Sequence, residues 1–268
     1  MEIDVGVLKE LASLVYEVSG IVFKDSNLTV LESRLRTRIN EKHCSPREYI
    51  QILRTNDQEL RDFVDFVTTN FTSFFRYPRH FEMLRTEILP KVVQKSSEKK
   101  ITIWSAGCST GEEPYSLAIT LDIFLRENEM FDWEYAVIGS DISLQSLFVA
   151  KEGVFPEKAF TKVPEDLVQK YFVKTSKGYQ IVPEIAKHIR FDYHNLIYDN
   201  GLRDIPVVFC RNVLIYFDLA VQLKVLENIH RAMRSGGFLF IGHSESLIRI
   251  TNMFHPQSFS QGVVYVKS

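Results

Sequence analysis

The chain has 268 residues, 45% of them hydrophobic, and a net charge of −2. That length can bury a sizeable core in one large domain or two, and the near-neutral balance gives no global reason to expect nucleic acid as a partner. Three cysteines without paired spacing, none beside a His-rich cluster, argue against a disulfide framework or structural zinc and for a reducing compartment. Residues 1–5 lack the features of a signal peptide, and no apolar run approaches membrane-spanning length. A cytoplasmic protein is expected, with any membrane partner reached from inside the cell.

In chain order, residues 1 to about 75 read as a helical domain. Apolar residues recur at helical spacing in Val7-Leu8-Leu11-Leu14-Val15 and in Leu28-Leu31-Leu35-Ile39. Asn56 or Asp57 starts a further helix through Leu60, Phe63, Val64 and Val67. Residues 92–100 read as a polar connection. From Ile101 strands and helices alternate: strand 101–105, helix 112–128, strand 135–140, helix 143–151. After an interruption at about 153–187 come strands 188–193 and 207–210, helix 218–233, and strands 238–241 and 262–266. This alternation predicts an α/β fold with a mainly parallel sheet covered by helices on both faces. Within the interruption, Tyr171–Val182 reads as a hairpin turning at Thr175–Gly178.

The turn after the first strand carries Gly107 and Gly111. Glycine lets a backbone come close to a ligand, and the helix start beyond it offers unpaired N–H groups. Taken alone, the glycines fit any α/β crossover equally well. The second strand, however, ends at Asp141, where such folds bind a ribose diol, because one carboxylate can accept both hydroxyls. There is no Gly-x-Gly-x-x-Gly and no phosphate loop, and Glu112 and Glu113 at the helix start would oppose a pyrophosphate. An adenosine ligand without phosphates is expected, which fits S-adenosylmethionine better than NAD or ATP.

Several separate motifs then resemble the CheR-type chemotaxis receptor glutamate methyltransferases. They are Thr69-Asn-Phe-Thr-Ser-Phe-Phe-Arg76, Ser109-Thr-Gly-Glu-Glu-Pro-Tyr-Ser116, Gly139-Ser-Asp-Ile142 with Gly153-Val-Phe155, Asn195-Leu196, Phe209–Phe217, and Gly237–Ser246. Their shared order and spacing make the resemblance specific, and it covers nearly the whole chain. It implies a class I methyltransferase Rossmann-like domain at 76–268 with a closing hairpin strand, an N-terminal all-α domain at 1–75, and a small antiparallel β insert at about 153–187. It implies S-adenosylmethionine as methyl donor, S-adenosylhomocysteine as product, no metal, and chemoreceptor cytoplasmic domains as acceptors in membrane-bound arrays. The same chemistry on a non-chemotaxis acceptor, or a non-catalytic cofactor-binding module, are the alternatives.

A glutamate side chain is already ionised at neutral pH, so its methylation needs alignment and water removal more than a strong base. Arg76 closes an aromatic run, and its guanidinium can grip a carboxylate with two prongs; the plain alternative is a surface or capping arginine. The resemblance implies that Arg76 lies beside the methyl group and steers the acceptor, with the Tyr216 hydroxyl as a second acceptor contact. It implies cofactor contacts by Asn70, Thr72, Arg76, Gly107, Glu113, Asp141, Asn195, Leu196, Arg211 and Asn212. Phe71, Phe74 and Phe75 are expected in the core, Glu112 as a solvated first-turn residue, and Cys108 as a small turn residue. His194 is expected to pack or face solvent, and His243-Ser244-Glu245 resembles a motif to which no role is assigned.

A helix bearing Arg34, Arg36 and Arg38 presents either a solvated basic face or a docking surface for glutamate-rich receptor helices. Some relatives grip a C-terminal receptor peptide by adding a strand to the β insert. The hairpin loop here looks shorter than theirs, so an accessory hairpin is expected rather than a tether.

Overall fold

The computed structural model describes residues 3–24, 27–68 and 71–268. Two compact units emerge, Met1–Thr69 with Ile215–Gln222, and Asn70–Leu214 with Leu223–Ser268.

The first unit is helical: α1 (Val5–Ser19), α2 (Leu28–Lys42), α3 (Pro46–Thr55) and α4 (Asp57–Val67). The Asp4 carboxylate caps α1 by accepting from Gly6 N–H, and Gly20, with φ of 74°, ends it in the left-handed conformation. Leu11, Val15, Leu31, Leu35, Tyr49, Leu53 and Phe63 form its core. Helix α3 was not anticipated from periodicity. Its start is nevertheless written locally, since Ser45 and Glu48 form a reciprocal capping box around Pro46 at the first position. Asn56 caps α4 through its side-chain oxygen. The segment Ile215–Gln222 joins this unit through an antiparallel bridge between Ile21 and Phe217 and a Tyr16–Asp218 hydrogen bond of 2.9 Å.

The second unit begins with α5 (Pro78–Met83), a π-helical turn (Leu84–Ile88) and α6 (Leu89–Gln94), so the expected connection at 92–100 starts later than its polarity implied. Then come β1 (Lys100–Ala106), α7 (Glu112–Glu127), β2 (Glu134–Asp141), α8 (Leu144–Glu152) and β3 (Val154–Phe155). They are followed by α9 (Glu165–Tyr171), β4 (Phe172–Thr175), β5 (Gly178–Ile181), α10 (Pro183–Ala186), β6 (Ile189–Tyr193) and β7 (Ile205–Cys210). The remainder is α11 (Leu219–Ala232), whose first turn counts with the helical unit, β8 (Met233–Ile241), β9 (Phe254–Phe259) and β10 (Gly262–Lys267).

The seven-stranded sheet has the order β6-β2-β1-β7-β8-β10-β9. Its first five strands pair in parallel, while β10 runs antiparallel to both β8 and β9. This is a class I methyltransferase fold, as the alternating pattern and the resemblance implied. β7 is buried at all six positions, as a strand covered on both faces must be. Strand β9 was missed, because Pro256 removes a ladder donor; the sheet order places β9 at an edge, where proline is tolerated. The second sheet, β3-β5-β4, is antiparallel, and the expected hairpin is present with Thr175 opposite Gly178.

The strand order reverses at β1: the chain adds β2 on one side of it and later β7 on the other. Ligands of such sheets bind at that switch point, outside the carboxyl ends of the strands.

Candidate active site

The turn from β1 into α7 carries three left-handed residues, Gly107 (φ 84°), Ser109 (φ 51°) and Gly111 (φ 98°). A Cβ on Gly107 would lie 2.5 Å from Val213 Cγ2, so this position admits glycine for space as well as for φ. The N–H groups of Gly107 and Cys108 both donate to the Ser140 carbonyl, at 2.8 and 3.0 Å. The Asp141 carboxylate accepts from Ser109 N–H at 2.7 Å and from Ser143 N–H at 2.9 Å. It therefore ties the turns after β1 and β2 together.

Glu113, in the first turn of α7, accepts from the Ser105 hydroxyl at 2.7 Å and from Arg211 Nη1 at 3.0 Å. Arg211 follows β7, and its side chain is 1% exposed. Burial pushes the Glu113 carboxyl up, and the Arg211 guanidinium pulls it back. Arg211 Nη2 also donates to the Arg76 carbonyl. One buried cation thus joins the ends of β1 and β7 to the 71–77 run. Glu112 differs from expectation. It is 8% exposed rather than solvated, because α7 turns its first residue inward, where the Thr110 hydroxyl donates to it at 2.6 Å. Burial raises its pKa.

The 71–77 run is irregular. Phe75 (φ 49°) and Tyr77 (φ 60°) flank Arg76 in the left-handed region, a conformation that costs a non-glycine residue about 1–2 kcal/mol. Phe75 N–H donates to Ser116 Oγ at 2.9 Å, and Phe74 sits in the core against Phe155, Phe160 and Phe172. Phe71, expected in the core, is 77% exposed; aromatic character alone cannot tell a core ring from one held against a guanidinium. Arg76 Nη1 donates to the Phe71 carbonyl at 3.1 Å, and its other N–H groups have no partner among the described residues. Thr72 is half-buried, and Asn70 lies outside the described residues.

After β6, His194 N–H donates to the Asp141 carbonyl at 2.9 Å, and its ring lies 6.4 Å from Trp104. Burial lowers the His194 pKa, as fits a packed imidazole. Asn195 Oδ1 accepts from Ile197 N–H, and the buried Leu196 gives its carbonyl to Asn228 Nδ2 at 3.0 Å. After β7, Asn212 adopts φ of 58°. Glu245, which the sequence left without a role, accepts from Asn212 N–H at 2.8 Å and also from Gly242 N–H. It locks the ends of β7 and β8 together. Cys108 is buried, and burial raises its pKa, so it is a thiol filling space in the turn. Tyr216 closes a short 3₁₀ turn, Leu214–Tyr216, and its carbonyl accepts from Val22 N–H at 2.9 Å within the helical unit.

The donor set suits S-adenosylmethionine. A ribose diol needs an acceptor of the kind a carboxylate at the end of the second strand, such as Asp141, can offer. Arg211 Nε, Asn212 Oδ1 and His194 Nε2, all on residues just beyond the strand ends, are buried without a hydrogen-bond partner among the described residues. Among those residues no group of three or more His, Cys, Asp or Glu is placed to hold a metal. No described helix is long and apolar enough to cross a membrane.

Residues 70–263 match the model of the CheR methyltransferase SAM-binding domain, and residues 7–68 match that of the CheR methyltransferase all-alpha domain. The chain belongs to the CheR methyltransferase family. It is 36% identical to chemotaxis protein methyltransferase 2 of Vibrio cholerae over 94% of this chain and 89% of that protein. It is 33% identical to the chemotaxis protein methyltransferase of Borreliella burgdorferi, over 90% of this chain and 88% of that one. A third relative, chemotaxis protein methyltransferase 1 of Pseudomonas aeruginosa, is 32% identical over 92% of both chains. Membership of this CheR family makes the chain an S-adenosylmethionine-dependent methyltransferase of chemotaxis.

Proposed function

We propose that the chain methylates glutamate side-chain carboxylates of chemoreceptor cytoplasmic domains, forming methyl esters in chemotactic adaptation. The observation that carries this reading is Arg76: a half-exposed guanidinium, braced through its carbonyl by buried Arg211, with N–H groups left over for a carboxylate. S-adenosylmethionine supplies a methyl group on a cationic sulfur. Arg76 orients the acceptor carboxylate, whose oxygen forms the new bond to the methyl carbon. The sulfur keeps the electron pair of the bond that breaks, so no proton has to move. This explains why alignment suffices and why no Ser–His–Asp or Cys–His set is needed.

In this reading Asp141 accepts from the ribose hydroxyls, and Asn195 with Leu196 serves the adenine. Gly107, Glu113, Arg211, Asn212, Thr72 and Asn70 complete the cofactor contacts, and the Tyr216 hydroxyl is a second acceptor contact. The functional division places a helical domain at 1–75 and the methyltransferase domain at 76–268, with the β insert at about 153–187 as an accessory rather than a peptide tether. Arg34, Arg36 and Arg38 dock the acidic receptor helices, bringing the enzyme from the cytoplasm to receptor arrays. Neither a metal nor nucleic acid takes part.

The test supplies methyl-labelled S-adenosylmethionine and a panel of chemoreceptor cytoplasmic fragments. Label on a receptor that mild base releases as volatile methanol is the expected result. Base-stable label, or none on any receptor despite S-adenosylhomocysteine binding, would overturn the glutamate assignment.

A further inference from the structure

Two aromatic rings lie close to the Arg76 guanidinium. The guanidinium carbon lies 5.8 Å from the Phe71 ring centroid and 5.8 Å from that of Tyr77. Tyr77 is itself anchored, stacked on His243 at 5.9 Å and 14°, with the Arg211 guanidinium 5.4 Å from its centroid. Phe71 is 77% exposed and Tyr77 39% exposed, so neither ring serves chiefly to fill the core. The left-handed backbone at Tyr77 is a cost that its ring contacts offset.

We infer that Phe71 and Tyr77 are positioning residues for the acceptor step: their rings hold the Arg76 guanidinium in place and give the methylene stem of the incoming acidic side chain an apolar surface. A long arginine would otherwise lose rotamer freedom on every encounter, and two nearby rings remove that cost beforehand. A glutamate presents its carboxylate on two methylenes, which suits a cation set beside apolar rings; an aspartate presents it on one. The inference rests on the glutamate reading above and adds to it a basis for choosing acceptor length.

The experiment measures kcat and KM for a receptor fragment, with S-adenosylhomocysteine affinity measured calorimetrically on the same proteins. Phe71→Ala should lower kcat/KM for the acceptor about fivefold, the equivalent of one exposed cation–π contact, with cofactor affinity within about twofold of wild type. Phe71→Tyr should restore the rate. Tyr77→Asn tolerates the left-handed backbone while removing the ring, so it separates ring from fold; a similar acceptor-side loss is expected. Unchanged acceptor kinetics in Phe71→Ala, or an equal loss of cofactor affinity, would overturn the inference while the glutamate reading stands. No base-labile label with the wild type would overturn both.

Discussion

Arg211 shows how much one side chain carries. Its pairing with Glu113 is buried, so Arg211→Met should leave a carboxylate uncompensated and cost about 3–5 kcal/mol, whereas Arg211→Met with Glu113→Gln should recover part of that loss. Urea unfolding of the two single variants and the double would measure the coupling; additive losses would refute it. Gly107→Ala meets both the left-handed φ and Val213, so it should destabilise by about 1–3 kcal/mol and weaken S-adenosylhomocysteine binding. Adding Val213→Ala should relieve the clash without relieving the φ strain. His80 makes a pH prediction. Burial, aided by the nearby Arg211 charge, lowers its pKa to about 4. Between about pH 6.5 and 4 the unfolded chain binds a proton that the native state refuses, so stability falls as pH falls through that window, by at most about 3 kcal/mol. Thermal midpoints from pH 7.5 to 5 should drop less steeply for His80→Gln than for wild type. At this scale the sequence singled out Asp141, Glu113 and Arg76 but not the partners they take in the structure. The exposure of Phe71, the burial of Glu112 and the bracing by Glu245 depend on which way a turn points, and residue type does not encode that.

Among the elements, legibility followed local signals. Strands buried on both faces and long helices with a clear apolar stripe were readable, because hydrophobic runs and periodicity mark them. Helix α3 carried a complete capping box but only ten residues, too short for periodicity to stand out. Strand β9 hid behind Pro256, and the helix–π–helix run at 78–94 has Pro90 inside it, which breaks a simple pattern. Helix α2 refines the docking idea. Arg36 pairs with Glu32, Arg38 with Glu41, and the guanidinium carbon of Arg34 lies 4.7 Å from the Phe66 centroid, so the cations are partly neutralised in place. Arg34→Glu with Arg36→Glu should still slow receptor methylation and flatten its salt dependence, while shifting stability by only about 1 kcal/mol. Unchanged methylation and salt response would rule out docking through this face.

For the whole molecule, the sheet order places Asp141 at the carboxyl end of β2 and Arg211 and Asn212 just beyond that of β7, on either side of β1, and the family match accounts for the cofactor. Asp141, ending β2, reaches the turn after β1 that carries Gly107, and Glu113 in α7 reaches back to Ser105 at the end of β1; the two strand ends were legible from the alternating pattern, whereas Glu113 was singled out by resemblance. The strained 71–77 run was not readable in advance, because non-glycine residues adopt left-handed backbone only when tertiary contacts compel them. In the proposed reaction Arg76 directs methyl transfer to glutamate. The most direct test is mass-spectrometric mapping of the methylated residue on a receptor fragment after reaction with the wild type and with Arg76→Ala. Methyl groups on glutamate side chains with the wild type, and their loss in Arg76→Ala with S-adenosylhomocysteine binding retained, are the predicted result. Methyl groups on another residue type, or glutamate esters formed as fast without Arg76, would contradict it.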